Sequence, residues 1–450
     1  MTKSRGSFIA RGCALVTALA LAGPAAAAAS DWPSYGKDLA NSRNGGTGGP
    51  SLAQVTTLAQ AWRFDSSDGD FTGTPVVAAG TLVAGSGGGS IFALDAATGK
   101  LRWSRDVNEP INGTAAIVPD PRTPGSGVVY EPIPELGSPR VLALSLRDGS
   151  VLWDTVTTNQ ATATSFGSPA VWNGTVYMGT SADNGDNSTA RGSLVAIDAK
   201  TGRVKWRTFM VPPGDDGGPV WSTPAIDTKT GRVYVGTGNA YHAPAGPMTD
   251  SIVALDAKTG RVLGHFQATA NDVFTGSSPA GPDADFGASP NLLTAPDGRA
   301  LVGDGQKAGI YWALDRATLE PVWHTAVGPS SAAGGIIGST AFDGSRIYGP
   351  NTPGGEVWSL DHAGNIDWVS SEVGPLAFSP VAVSNGVVYT ADSGGVVTAR
   401  DAATGVPHAE LPLGAPSFGG VSIAGGAVYA SVGTGSSSSG SIIAFGDTMR

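Results

Sequence analysis

Short runs of alternating apolar and polar residues recur along the chain, each closing on Ala, a large apolar residue and Asp. A turn carrying Thr-Gly follows, and a tryptophan comes three or four residues later. The phrase is complete in Ala93-Leu94-Asp95-Ala96-Ala97-Thr98-Gly99-Lys100-Leu101-Arg102-Trp103 and again from Ala196 to Trp206. Looser copies pair Ser145 with Trp153, Asp256 with Gly264, Asp315 with Trp323, Asp361 with Trp368 and Asp401 with Ala409. Successive Asp-type positions lie 50, 53, 58, 59, 46 and 40 residues apart. Strands repeating at this spacing, with no helical stripe between them, predict a β-propeller.

In each copy the Asp can accept hydrogen bonds from turn amides, and the Gly takes a left-handed conformation that other residues resist. The turn joins the third and fourth strands of a blade. The tryptophan opens the fourth strand, where full burial against the next blade is worth at most about 4–6 kcal/mol. Seven phrases carry both strands. Ser441-Ile442-Ile443-Ala444-Phe445 reads as a third strand with nothing after it, and Ala61-Trp62-Arg63-Phe64-Asp65 as a fourth strand with nothing before it. Joined, they make an eighth blade and remove the open edges of the ring. The expectation is an all-β protein: one eight-bladed propeller of four-stranded antiparallel blades over residues 57–450, closed by strands from both termini.

Residues 1–29 read as a secretory signal peptide. Lys3, Arg5 and Arg11 precede an apolar stretch from Ala14 to Ala22 that is too short to span a membrane, and an Ala-x-Ala site follows. This points to a periplasmic or secreted protein without membrane insertion. Residues 30–56 form a Gly-rich arm. The formal charge is −10, or about −13 without the three basic leader residues. Such a surface is a poor partner for nucleic acid or anionic membranes. Only 14% of residues are charged where about 25% is usual, and 66 glycines serve the many tight turns. Cys13, in the leader, is the only cysteine. Disulfides, iron–sulfur clusters and covalent haem are thereby excluded from the mature chain, so any electrons it handles must leave to a separate carrier.

Candidate chemistry lies where the middle of the chain departs most from bare repeat: Gly217-Gly218-Pro219-Val220-Trp221-Ser222-Thr223-Pro224, Gly236-Thr237-Gly238-Asn239, Asp283-Ala284-Asp285-Phe286-Gly287-Ala288-Ser289-Pro290 and Gly305-Gln306-Lys307-Ala308-Gly309. With these, and with Asp31-Trp32-Pro33-Ser34-Tyr35-Gly36 near the start, the chain resembles the pyrroloquinoline quinone (PQQ)-dependent alcohol dehydrogenases, which are eight-bladed quinoproteins. It is most similar to their polyvinyl alcohol dehydrogenase branch. The resemblance implies that Trp221 is the floor under the quinone ring, Asn239 a metal ligand, Asp285 the base and a metal ligand, and Lys307 the cation at the quinone oxygens. Ser181 is implied as a further cofactor contact. The family's metal-binding glutamate has no counterpart in Ala182-Asp183-Asn184-Gly185-Asp186-Asn187, where Asp183 or Asp186 would replace it. Gly287 stands where lanthanide-using relatives carry a further Asp, which favours calcium. The adjacent cysteine pair of the family's well-known members is missing, as are the long insertions of its larger ones.

These residue types suit the chemistry. A planar polyanionic quinone needs an aromatic face, a cation and a divalent ion that polarises the carbonyl receiving hydride. Amide and carboxylate oxygens suit calcium better than zinc, and an ionised Asp within reach of an alcohol can take its proton. Read singly, Trp221 is equally an inter-blade packing residue, Asn239 a turn cap, Asp285 beside Asp283 a solvated pair or an adventitious calcium site, and Lys307 a surface lysine. Their order and spacing together favour an exported dehydrogenase that oxidises a small or polymeric alcohol and passes electrons to a soluble cytochrome c. The alternative is a non-catalytic envelope scaffold that binds proteins or polysaccharide. A sugar- or polyol-oxidising quinoprotein is not separable from the first reading. Other sites fail. Gly85-x-Gly87 has no following helix for a dinucleotide, the five histidines lack metal spacing, no nucleophile elbow is present, and Asp65 to Asp70 lacks the ligand alternation of an EF-hand.

Overall fold

The computed structural model describes residues 1–2, 31–183, 187–276, 281–330, 334–370 and 375–447. Eight antiparallel sheets form blades 1 to 8, whose first strands are Val76–Ala78, Ala116–Pro119, Ala170–Trp172, Ala225–Asp227, Asn291–Thr294, Ala341–Phe342, Ala382–Ser384 and Val421–Ala424. Each blade has four strands; blade 3 carries in addition the two-residue strand Ala163–Thr164. First strands of successive blades contact one another round the ring, so they line the axis. The eighth blade closes as expected. Leu58–Ser66 pairs with Gly440–Asp447, with Trp62 opposite Ala444 and Phe64 opposite Ile442.

The repeated phrase does its work at the blade junctions. Asp95 Oδ1 accepts the Thr98 amide at 3.0 Å, and Asp198, Asp256 and Asp401 do the same for Thr201, Thr259 and Thr404. Gly99 and its equivalents have φ of +67 to +83°, but they have a second reason to be glycine. A Cβ on Gly99, Gly149, Gly202, Gly260, Gly364 or Gly405 would lie 2.5–2.9 Å from the tryptophan ring of the preceding blade. Each of those rings also donates Nε1–H to a turn carbonyl of the next blade, as Trp103 does to Leu146 at 2.9 Å and Trp62 to Ala96 at 3.1 Å. Trp103 and Trp368 are buried and the other four docking rings are half-buried, so the burial term falls below its upper limit.

Two junctions lack the tryptophan. At one of them, between blades 4 and 5, Gly264 replaces Trp and Leu319 replaces the turn Gly, at a φ of +61°. Leu319 is buried, with its Cδ1 3.6 Å from a Cβ placed on Gly264. The two substitutions fill one another's space.

The arm does not trail from the ring. It runs along the free inner edges of the first strands: the amides of Val77, Ile117, Ile226, Leu292, Phe342 and Val383 donate to the carbonyls of Trp32, Pro33, Leu39, Ala40, Ser42 and Arg43. These six blades thus bind one continuous stretch of backbone. Tyr35 reaches across to Ser339 of blade 6 (2.8 Å). Arg43, fully buried, donates to Val381 and Val421 and lies against the rings of Trp32 and Tyr35. Burial pulls its guanidinium down to about 10. These side chains tie the arm to blades 6, 7 and 8.

Candidate active site

The first strands all begin after a loop that reaches the axis, and in blades 1 to 6 that loop carries a hydroxyl. The amides of Thr74, Thr114, Ser168, Thr223 and Ser289 each donate to the hydroxyl of the next blade, ending at Ser339, at 2.9–3.2 Å. The belt breaks at Pro380 and Gly420. Within it lies a cavity of about 420 Å³, with Tyr35 of the arm in its wall.

Trp221, Asn239, Asp285, Lys307 and Ser181 all line this cavity. Trp221 comes from the loop entering blade 4, Asn239 from the loop after that blade's second strand, Arg232–Gly236, Asp285 from the loop entering blade 5 and Lys307 from the loop after Ala300–Gly305. The Lys307 amide donates to the Asp285 carbonyl at 2.9 Å, fixing the last two loops together. Asp285 Oδ1 accepts the Asn239 amide at 2.7 Å, and its Oδ2 lies 3.0 Å from Lys307 Nζ. Lys307 Nζ also donates to Asp283 Oδ1 at 2.8 Å and sits 5.3 Å from the centre of the Trp221 ring. A Cβ on Gly287 would come within 2.5 Å of Trp221 Cη2, and one on Gly238 within 2.6 Å of Asp285 Oδ1. Neither position admits a side chain while these groups keep their places. An acidic ligand at 287 is therefore excluded with Trp221 where it stands.

The electrostatics are lopsided. Burial opposes the Lys307 charge, but Asp285 and Asp283 outweigh it and hold its pKa above the ordinary value. Asp283 gains less from the pair, because it shares one lysine: burial and then Asp285 push it up to about 6 against the lysine's pull. Asp272 is raised chiefly by burial. Asp250 is driven well above its usual range by burial and then by Asp285, Asp272 and Asp283, and neither of its carboxylate oxygens has a hydrogen-bond partner. Tyr241, buried beside Asn239, is raised by burial and then by Asp285.

An aromatic face, a cation beside it and an unpartnered buried hydroxyl on Thr72 fit a planar anionic group such as PQQ. For a metal, the Asn239 side-chain Nδ2 donates to the carbonyls of Ala240 (2.6 Å) and Phe274 (2.8 Å), which leaves Oδ1 as its open acceptor. Asp285 retains lone pairs beyond its two contacts. Asp183 does not line the cavity; its carboxylate takes the Ser188 hydroxyl. Asp186 lies outside the described residues, as do residues 3–29 of the leader. Among the described residues no three His, Cys, Asp or Glu side chains are gathered as metal ligands.

Several lining residues escaped the sequence reading. Tyr35 and Tyr241 are among them, as is the Phe378–Phe418 pair, with ring centres 4.7 Å apart. Tyr241 stands two residues after Asn239, and the repeated small-Ser/Thr-Pro triplets at Thr74, Ser168, Thr223 and Ser289 mark the belt. Nothing local marks the Phe pair, because its members come from different blades.

Residues 32–340 match the protein family described as glucose/ethanol/alcohol dehydrogenase, β-propeller domain, and residues 248–448 match that of the outer membrane protein assembly factor BamB. The chain is 27% identical over 349 residues to a polyvinylalcohol dehydrogenase of Pseudomonas sp, covering 70% of this chain and 54% of that protein. It is 28% identical over 482 residues to one from Sphingopyxis sp. (strain 113P3), covering 89% and 72%. The chain thus spans about half the length of the first relative. The quinohemoprotein alcohol dehydrogenase of Comamonas testosteroni superposes with a TM-score of 0.77 over 94% of this chain and 81% of its own, at 21% identity, a likeness of fold.

Proposed function

The chain belongs to the glucose/ethanol/alcohol dehydrogenase β-propeller family, and from that premise we propose that it is an exported quinoprotein that oxidises an alcohol, secondary and polymeric alcohols included. The observation that carries this reading is the convergence of Trp221, Asn239, Asp285 and Lys307 on one cavity at the axis.

When bound, PQQ supplies a carbonyl that accepts hydride from the alcohol carbon. The chain's own residues do the rest. Trp221 offers the face on which a planar ring stacks, and Lys307 holds a buried positive charge beside it. Asp285, on the cavity wall, takes the hydroxyl proton as the C–H bond breaks. Its contacts with the Asn239 amide and Lys307 keep the carboxylate oriented. Asn239 Oδ1 and Asp285 would supply oxygen donors for a calcium ion; Asp183 stands off the cavity, which leaves Asp186, outside the described residues, as the candidate for a further carboxylate. Ile337, Phe378 and Phe418 give the cavity apolar lining, which limits the water that reaches the reacting atoms. With no cysteine after residue 13, electrons leave to an external acceptor, for which a soluble cytochrome c is the natural partner. Among the described residues no helix is long and apolar enough to cross a membrane.

The test is reconstitution of the purified protein with PQQ and calcium, followed by dye reduction with primary and secondary alcohols and polyvinyl alcohol. Absence of quinone binding at micromolar concentrations defeats the reading. A second reading, a non-catalytic envelope scaffold, draws on the match of residues 248–448 to the assembly-factor family. It requires that Asp285→Asn leave partner binding and phenotype untouched, and loss of function in that variant with the fold intact counts against it.

A further inference from the structure

Lys307 is held from two sides, yet only Asp285 belongs to the chemistry described so far. Asp283 lies 2.8 Å from the ammonium and is as buried as Asp285. The backbone is arranged to put it there. Asp283 adopts a φ of +55°, a left-handed conformation that is uncommon for a residue with a side chain. Asp272 underlies this bend, its carboxylate accepting the amide of Ala284 at 2.7 Å and, more weakly, that of Asp283 at 3.4 Å. Asp250 is buried alongside with no partner for either oxygen. Several buried carboxylates around one lysine repel one another, so packing stability does not account for a strained Asp at 283.

Its geometric effect is specific. With Asp285 Oδ1 on the Asn239 backbone amide and Oδ2 on Lys307, an unopposed lysine would settle wholly on Asp285, whereas held by both carboxylates its Nζ stands over the Trp221 ring at 5.3 Å. We propose that Asp283 is a positioning residue that suspends Lys307 between two carboxylates, aiming its ammonium along the Trp221 face where the planar cofactor lies. This rests on the quinoprotein reading above.

Titrating PQQ into calcium-loaded apoprotein, followed by quenching of tryptophan fluorescence, tests it without turnover. Asp283→Asn is expected to weaken PQQ binding roughly 10- to 100-fold, the scale of one hydrogen bond to a charged group. Its thermal midpoint should hold or rise, because a buried like charge is gone. Asp283→Glu should recover part of the affinity. An Asp283→Asn protein that binds PQQ as tightly as wild type overturns the inference alone. So does one that unfolds or drops sharply in midpoint, since that marks a structural residue. Failure of the wild-type protein to bind PQQ removes the functional reading and this inference together.

Discussion

At the junction of blades 1 and 2 the outer rim is held by a buried tryptophan: Trp103 donates to Leu146 and lies over Gly149, which has no room for a Cβ. At the junction of blades 4 and 5 the outer rim has only Leu319 filling the gap left by Gly264, although Phe266 and Trp312 still meet at 5.0 Å. The inner ends differ in the opposite sense. Blades 4 and 5 bury five carboxylates, Asp250, Asp272, Asp283, Asp285 and Asp304, of which Asp283 and Asp285 pair with Lys307. Room for Asp304 is kept by Gly236, whose Cβ would lie 2.8 Å from its Oδ2. Burial holds Asp304 well above the ordinary carboxylate range. The same repeat thus builds one kind of junction for stability and another in which charges are packed together, an arrangement that stability alone disfavours and that a reaction can use.

The sharpest way to break this contrast is Asp285→Asn. Alcohol-dependent dye reduction by the holoprotein should fall roughly 10²- to 10⁴-fold, while the urea midpoint stays put or rises. A large loss of stability instead would make Asp285 a packing residue. Next come Lys307→Met and Trp103→Ala. Each is expected to cost about 3–5 kcal/mol at neutral pH, the first by stranding buried carboxylates and the second by opening a cavity. Urea unfolding at pH 5 and 7.5 separates them, because the lysine variant should recover at the lower pH and the tryptophan variant should not.

The pH dependence of the wild-type protein follows from raised carboxyls. A carboxyl whose folded pKa lies above its unfolded value contributes stability below the unfolded value and loses it as pH climbs through the folded one. Asp283, at about 6, predicts a decline between about pH 4 and 6. Glu131, fully buried in blade 2 and pushed from 4.5 to about 8 by burial, adds a decline that runs across that whole span and continues above pH 6. Urea midpoints from pH 4.5 to 9 should fall most steeply below pH 6, where the two overlap, and Glu131→Gln should lessen the slope there and flatten what remains between pH 6 and 8. The smallest effect is expected from grafting the standard junction onto blades 4 and 5. Gly264→Trp with Leu319→Gly should lie within about 1 kcal/mol of wild type, whereas Gly264→Trp alone should cost about 1–3 kcal/mol from overpacking. A double variant no better than the single one would show that the two positions are not a matched pair.

Much of this architecture can be read in the chain before it is folded. Asp95, Gly99 and Trp103 recur with a spacing that only a ring of blades satisfies, and unmatched strands at Trp62 and Ile442 announce their own pairing. Trp221, Asn239, Asp285 and Lys307 stand out because they interrupt that repeat. The course of the arm left little trace, because its register on six blades is set by backbone hydrogen bonds that any sequence could make, and the side chains that help hold it, Tyr35 and Arg43, follow no repeat. Asp250 and Asp272 look like loop carboxylates until the fold buries them. Phe378 and Phe418 are forty residues apart and meet only at the axis.

The arm also governs traffic. With the arm bound to the first strands of six blades and Tyr35 in the cavity wall, the alcohol oxidation proposed above would have substrate and product share the face turned away from the arm. A polymer, were it the substrate, would then present a chain end or a bend at that mouth rather than run through the ring.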